Sequence, residues 1–370
     1  MQKKMKTIIT ISAILIIIIN FIGERGELVE ELNIPSAIGY DLRKEFGDTV
    51  IYNVSVRTYF AESKLQNDSQ VLEGEGLSII ETRDDRQLKA NKKFILGLEK
   101  VIVVSEEYAM YGMKNVIDSL LNNPQVNDNG KVVVCSGMAK DILEYETKRY
   151  GGTDEVIGDM IDHAGDYNFF PEDYTLIDYI IVSSSEGRNP ILPYVEITNK
   201  GIEVTGLAIF DKDKMVGKMN MEDGRILNLL RENGGKGTLV MQKNSKEYIN
   251  YYPKAKRRVK CTKEEDRYKF IIELDLQGAI VSNELYKDFD SDPKVLKEFE
   301  EEMEKQVEKK CMNFINKAKD NYPVDVLDLG KVAAAKYGRG KDIDWNREVL
   351  NSIIEVKVKV KVDSQGRGDY

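Results

Sequence analysis

The residue types that most often perform catalysis are sparse in this chain of 370 residues. His163 is its single histidine, and the stretch Asp162-His163-Ala164-Gly165-Asp166 does not have the spacing of a metal site. No pair of carboxylates stands in a context that singles it out for acid–base work. We therefore expect His163 to lie in a surface loop, and we expect no catalytic residues, no cofactor-binding residues and no metal site.

Two glycine clusters could at first sight form phosphate-binding loops. In Gly234-Gly235-Lys236-Gly237-Thr238 the lysine is not followed by serine or threonine, as a Walker loop requires. Gly338-Arg339-Gly340-Lys341-Asp342 has a glycine–lysine pair but ends in aspartate. We interpret both clusters as turns and expect no nucleotide cofactor.

A basic run follows three tyrosines in the second half of the chain. Tyr248, Tyr251 and Tyr252 precede Lys254-Ala255-Lys256-Arg257-Arg258-Val259-Lys260. Such a run suits an exposed strand of a sheet with one polar face, a patch that contacts anionic lipid or an acidic partner, or a surface on which bases stack. The net charge of −9 disfavours nucleic acid, so no nucleic-acid partner is expected.

The three cysteines, Cys135, Cys261 and Cys311, are too few and too far apart for a disulfide-rich scaffold. Cys135 follows three valines and is predicted to be a buried strand residue. Cys311 falls on the apolar stripe of a helix. We expect both to act as small hydrophobic side chains.

The amino-terminal segment predicts the compartment. Lys3, Lys4 and Lys6 precede the apolar run Thr7–Ile22, which has the order of an export signal and is close to the shortest length that spans a bilayer. No small-residue cleavage site follows it. A buried core helix is the alternative, but the terminal position and the lysines argue against it. We expect residues 1–23 to act as a signal or anchor, with the rest of the chain outside the membrane.

The first half of the chain predicts alternating strands and helices. Apolar runs predict strands over Ile34–Tyr40, Val50–Val56, Val101–Val104 and Lys131–Cys135. Between them, helices are expected over Leu77–Asn91 (opened by Gly74-Glu75-Gly76), Ala109–Leu121 and Ala139–Glu144, with charged residues 41–45 forming a turn. This order predicts a mixed α/β layer.

The second half predicts further mixed structure. Strands are expected over Pro193–Ile197, Ile202–Phe210, Thr238–Met241 and Lys269–Leu274, with a turn at Lys212–Lys218 and a helix at Glu222–Glu232. A stripe of apolar residues predicts a long helix over 293–319 that packs on a sheet, with a coiled coil as the alternative. Perfect alternation predicts a final strand over 353–362, whose lysines would guard a sheet edge.

These patterns predict two or three mixed α/β domains after the amino-terminal segment. Gly187-Arg188-Asn189-Pro190 combines turn residues with a change of pattern, which favours a domain boundary there. The expected units are therefore residues 27–190 and 191–370, and a subdivision of the second unit near 290 is the alternative.

Several stretches taken in order resemble one family, the GerAC-like germinant-receptor C subunits of spore germination. The long charged helix, the Trp345 region and the alternating final strand are similar to the carboxyl-terminal half of that family. The stretches that carry the resemblance are Ser36–Asp41, Phe94–Gly97, Lys100–Val104, Ala139–Leu143, Gly206–Phe210 and Lys214–Lys218.

The resemblance implies a non-enzymatic subunit at the outer face of the inner spore membrane, acting with membrane subunits A and B in the response to nutrient germinants. Family members typically carry a lipobox that ends in Gly-Cys. This chain has Gly23-Glu24-Arg25-Gly26-Glu27-Leu28 instead, so the lipid-bearing cysteine is missing. An uncleaved Thr7–Ile22 helix would then be the anchor. The alternative is an anchored solute-binding or sensor protein that uses Gly187–Pro190 as a hinge beside a pocket between its halves.

Overall fold

The computed structural model describes residues 5–6, 10–16, 32–45, 49–59, 69–146, 152–171, 174–287, 289, 291–340 and 342–365. Residues 10–16 are helical. Within the described ranges no helix has the length and apolar character needed to cross a membrane. The exit Gly23–Leu28 and most of Thr7–Ile22 lie outside those ranges, and so do Asp290 and Lys341.

Strands and helices alternate over the first 220 residues, and strands and one long helix dominate the rest. The strands are β1 (Leu32–Asn33), β2 (Pro35–Lys44), β3 (Val50–Tyr59), β4 (Ser69–Gly76), β5 (Lys93–Phe94), β6 (Val101–Ser105), β7 (Lys131–Cys135), β8 (Ile191–Thr198), β9 (Gly201–Asp211), β10 (Lys214–Asn220), β11 (Leu239–Asn244), β12 (Glu247–Glu264), β13 (Arg267–Asn283) and β14 (Ile353–Gln365). The helices are α1 (Ile79–Leu88), α2 (Glu106–Tyr111), α3 (Lys114–Leu121), α4 (Ala139–Glu144), α5 (Thr153–Ala164), α6 (Leu176–Ser184), α7 (Met221–Arg231), α8 (Pro293–Asn321), α9 (Leu329–Tyr337) and α10 (Trp345–Leu350).

The first sheet has eight strands in the order β10-β9-β8-β7-β6-β2-β3-β4. Its centre is parallel, because β2, β6, β7 and β8 all pair in the same direction, and antiparallel strands extend it on both sides. The apolar central runs Val101–Val104 and Val132–Val134 are fully buried, as expected for strands covered on both faces. The predicted α/β class is therefore confirmed.

Helices cover both faces of this sheet. On one face Tyr108, Val116 and Leu120 of α2 and α3 pack on alternate residues of the strands. On the other face α4 and α5 pack, and the same apolar core continues without interruption to the second sheet.

The second sheet has the order β11-β12-β13-β14, and its long strands β12 and β13 form a hairpin. The strand β14 pairs in parallel with β13. Helix α8 lies against the inner face of this sheet and buries a stripe made of Phe299, Met303, Val307, Cys311, Phe314, Ile315 and Ala318. Core packing of the long helix is thus confirmed over the coiled coil. Asp292 caps it and Pro293 is its first residue, as the sequence indicates.

Four local predictions were wrong. Gly74–Gly76 ends strand β4 instead of opening a helix, residues 41–44 continue β2 instead of turning, and Lys214–Lys218 belongs to β10. The stretch Ala109–Leu121 is divided between α2 and α3, because Gly112 has a φ of 132°, outside the helical region.

The domain boundary expected at residues 187–190 stays a prediction. Strands on both sides of it, β7 and β8, pair within the first sheet.

Candidate functional site

The residues that could have carried catalysis are not assembled into a site. His163 is exposed, and it lies in the last turn of α5 instead of a loop, where its Nδ1 is 2.7 Å from the carbonyl oxygen of Asp159. Cys135, Cys261 and Cys311 are all buried and free, and burial raises the pKa of each thiol. Within the described ranges, no group of three or more histidine, cysteine, aspartate or glutamate side chains could hold a metal ion.

Both glycine clusters connect secondary structure. Gly234 donates to Ala255 O at 2.8 Å, and Ala255 N donates to Gly235 O at 2.9 Å, so the first cluster is held to β12 by its backbone. Gly338 ends α9, and Gly340 N donates to Glu186 Oε2 at 2.9 Å. Their amides are used by the protein itself, which agrees with the prediction of turns.

The basic run lies on strand β12, which confirms the strand interpretation. Tyr251 is fully buried, with its hydroxyl 2.9 Å from Leu276 O and 2.8 Å from Lys361 O. Alternate residues of β12, β13 and β14 point outward and form what we call the basic face. Its charged members are the cations Lys254, Lys256, Arg258, Lys260, Arg267, Lys269, Lys357, Lys359 and Lys361 and the carboxylates Glu264, Glu273, Asp275, Glu355 and Asp363.

The carboxylates of the basic face neutralise only some of its cations. Ion pairs join Arg258 to Asp275 at 2.6 Å and Lys260 to Glu273 at 2.5 Å. Lys269 pairs with Glu355 at 3.1 Å and with Glu264 at 3.5 Å. The remaining six cations have no ion pair with any residue that the structure describes, and they are Lys254, Lys256, Arg267, Lys357, Lys359 and Lys361. An acidic protein therefore presents one strongly positive surface.

The predicted hinge segment lies where the two sheets meet, and polar contacts hold it there in this structure. Arg188 Nε lies 2.7 Å from Asp328 Oδ2, and Asn189 Nδ2 donates to Asp325 O at 3.0 Å. A Cβ at Gly187 would lie 2.4 Å from the carbonyl carbon of Gly330, so the two backbones are in contact. The neighbouring cavity, lined in part by Arg188, has a volume of only about 80 Å³. Ligand pockets are typically several times larger, so this segment supports neither a hinge nor a binding site.

Several buried charged side chains meet at the same joint between the two sheets. Arg231 reaches across from α7, with its Nη2 3.2 Å from Asp328 Oδ1 and its Nη1 2.9 Å from Val326 O. Asp325 accepts hydrogen bonds from the backbone N–H groups of Leu327 at 2.9 Å and Gly330 at 2.7 Å. Burial nevertheless raises the pKa of Asp325 to about 6, because desolvation outweighs these bonds.

A larger cavity lies on the first sheet, and the sequence gives no sign of it. It has a volume of about 740 Å³ and is bounded by β2, β3, α1, α3 and residues 122–125. Arg86 of α1 lines it and is 7% exposed. The predicted helix is charged over Arg83–Arg86, a pattern typical of a solvated face, so only the structure reveals that one of these arginines points inward. We call this cavity the Arg86 groove.

Two family descriptions match successive parts of the chain. A spore germination protein N-terminal domain matches residues 26–197, and a spore germination B3/GerAC-like C-terminal domain matches residues 205–366. Together the two matches cover most of the chain, which is therefore a protein of the spore germination class. It belongs to the GerAC-like family.

Individual relatives agree with this assignment. The chain is 21% identical over 347 residues to the spore germination protein GerQC of Bacillus cereus, with 92% of this chain and 94% of that protein covered. Its fold is similar to the crystal structure of the GerBC protein, with a TM-score of 0.51 and 15% identity over 92% of this chain and 100% of that one.

Proposed function

We infer that this chain is the C subunit of a nutrient-germinant receptor and that it acts with membrane subunits A and B at the inner spore membrane. The observation that carries the inference is the match of both family domains, in order, together with the nearly full-length relationship to GerQC. In this role the subunit contributes surfaces and contacts to a receptor complex.

A non-catalytic role is supported by the state of the chemical groups. The single histidine is exposed and bonded to its own helix, and the three thiols are buried. Nucleophilic catalysis requires a nucleophile beside a base, and the described residues bring no such pair together around His163.

The amino-terminal segment is the proposed tether. Lys3, Lys4 and Lys6 stay on the cytoplasmic side, and the apolar run Thr7–Ile22 holds the body on the outer side of the membrane. Because the lipobox cysteine is missing, this uncleaved segment replaces the lipid. The basic face supports the same placement, since unpaired lysines are attracted to anionic headgroups.

Two measurements test this function. Full-length tagged protein should copurify with the A and B subunits from spore membranes, and spores that lack the gene and any paralogue should fail to respond to the nutrient. Normal nutrient germination of those spores would refute the receptor role. The native protein should keep Met1 and remain in the membrane pellet after alkaline carbonate, whereas a soluble species that begins near Glu24 would refute the tether alone.

The solute-binding alternative loses its original basis. It required movement about Gly187–Pro190, and that segment is held by backbone contact and ion pairs.

A further inference from the structure

The lining of the Arg86 groove is about half apolar and half polar, and it contains one buried cation. Ile38, Tyr40 and Val54 form part of its floor, and Leu96 and Leu120 form part of its walls. Its volume of about 740 Å³ lies inside the range of roughly 300–1,000 Å³ that is usual for small-molecule sites. The volume and the apolar part of the lining therefore suit a small molecule with an apolar body.

The guanidinium of Arg86 is left with unused hydrogen-bond donors. Nη1 donates to Val54 O at 3.2 Å, and the group lies 5.3 Å from the centre of the Phe94 ring. Among the residues that the structure describes, its Nε has no hydrogen-bond partner and no carboxylate forms an ion pair with the guanidinium. Asp85, its sequence neighbour, is occupied by Lys89 Nζ at 2.6 Å and the Glu75 backbone N at 2.8 Å.

Leaving this cation unpaired is energetically unfavourable. A buried charge without a counter-charge is strongly destabilising unless hydrogen bonds or an ion pair compensate for it. A single carbonyl and an aromatic ring compensate in part. A carboxylate would complete the site, because its two oxygens match the planar fork of donors of an arginine.

The rim of the groove carries exposed apolar side chains. Leu77 and Ile80 are 64% and 65% exposed, and both line the groove. A ligand whose apolar body extends from the guanidinium to the rim would cover them, and removal of this surface from water would favour binding.

We propose that the Arg86 groove binds a small carboxylate with an apolar body, and that the carboxylate accepts hydrogen bonds from the guanidinium of Arg86. The proposal adds a ligand site to the subunit and goes beyond its proposed membership of a receptor. A purely structural role for Arg86, in which Nη1 ties α1 to β3, is the opposing interpretation.

The test compares an acid with its neutral amide. Full-length protein in detergent is titrated with 4-phenylbutyrate and with 4-phenylbutyramide, and binding is followed by ligand-observed NMR. The two probes share the apolar body and differ in the group that would meet Arg86. We expect the acid to bind at least about tenfold more tightly, as charge-assisted bidentate bonds require. Equal affinities, or no binding of the acid at about 10 mM, would overturn the proposal.

Variants separate the site from a structural arginine. Arg86→Met keeps the length of the stem but removes the charge, and it should abolish the preference for the acid. Arg225→Met removes an exposed arginine of α7 and should leave binding unchanged. If Arg86→Met does not fold, Ser119→Trp, placed in the groove wall, should block the acid while Arg86 stays in place. Acid binding by Ser119→Trp equal to that of the wild type would contradict the location. None of these outcomes depends on subunits A and B, so the receptor role is tested separately.

Discussion

Glu304 Oε1 accepts a hydrogen bond from the backbone N–H of Val360 at 3.0 Å, which joins the long helix α8 to the last strand. Residues four apart in a helix are about 6 Å apart along its axis, and alternate residues of a strand are about 6.8 Å apart. Because these spacings are similar, the same hydrogen bond can repeat along the helix and the strand. Such bonds do repeat, each at 3.0 Å, in the pairs Glu300–Val362 and Glu308–Val358. The β14 edge of the second sheet is thereby covered by carboxylates, which protects it from pairing with another chain.

Removal of these three carboxylates should destabilise the protein. The triple variant Glu300→Ala, Glu304→Ala, Glu308→Ala should lose roughly 3 kcal/mol of unfolding free energy, because each bond contributes about 1 kcal/mol. Urea-induced unfolding measures the loss. The matching triple glutamine variant keeps an acceptor at each position and should lose less than half as much. Equal losses in the two variants would show that the bonds do not stabilise the edge.

The sequence predicts the two elements of this contact but not the contact. The apolar stripe gives α8, and strict alternation gives β14, both with bounds close to those observed. β14 is an edge strand, as expected, and its lysines project from the basic face. Glutamates at four-residue steps look like any solvated helix face. Their role depends on where the helix lies along the strand, which is fixed by packing of residues distant in the chain.

The same limit applies to the candidate site. Arg86 stands in a charged stretch with Arg83 and Asp84, and nothing in the local pattern separates it from its exposed neighbours. It turns inward because the helix α1 packs on β4, where a Cβ at Gly74 would be 1.8 Å from Thr82 O. A close approach of backbones of this kind is set by tertiary structure.

The basic face should matter in the spore if it lies against anionic headgroups. Lys357→Glu, Lys359→Glu, Lys361→Glu should slow nutrient germination, because each lysine near an anionic surface contributes about 1 kcal/mol. The control is Lys305→Glu, Lys309→Glu, Lys310→Glu, which makes the same change of charge at exposed positions of α8. Germination is followed by loss of optical density at equal protein levels. Equal slowing by both triple variants would point to net charge instead of the basic face.

Because Gly187 contacts Gly330, replacing Gly187 by alanine should destabilise the protein much more than the same change at Gly340. Gly187 and Gly340 have φ values of 68° and 71°, so alanine causes similar backbone strain at both. At Gly340 the new Cβ meets nothing within 4 Å, whereas at Gly187 it would lie 2.4 Å from Gly330 C. We predict that Gly187→Ala costs at least about 2 kcal/mol more than Gly340→Ala in chemical denaturation. Similar costs would mean that the backbone of Gly330 moves away from a Cβ at residue 187 with little loss of stability.

The three cysteines should be unreactive in the folded protein. All are buried, and burial raises the pKa of Cys311 to about 12, so few thiolates are present at neutral pH. A thiol-specific disulfide reagent should label none of them in native protein and all three after denaturation. Rapid labelling of one thiol in the native state would reveal local opening around it.

Asp325 should make stability depend on pH in the direction opposite to that of an ordinary ion-paired aspartate. Its folded pKa, about 6, is higher than the usual value of 3.8, so the folded state binds the proton more tightly. Stability from this group is therefore fully present below about pH 4, declines as the pH rises towards 6 and changes little above that. The difference between the folded pKa of about 6 and the usual value of 3.8 corresponds to about 3 kcal/mol of unfolding free energy.

Asp325→Asn isolates this contribution, because asparagine has no proton to exchange in that range. Unfolding free energies of wild type and variant are measured by urea titration at pH 4.5, 5.5 and 7. The absolute values will differ, since one amide NH₂ faces the backbone donors of Leu327 or Gly330. Other carboxyl groups titrate in both proteins and cancel in the comparison. The advantage of the wild type over the variant should shrink from pH 4.5 to pH 7, and a constant difference would place the pKa of Asp325 near its ordinary value.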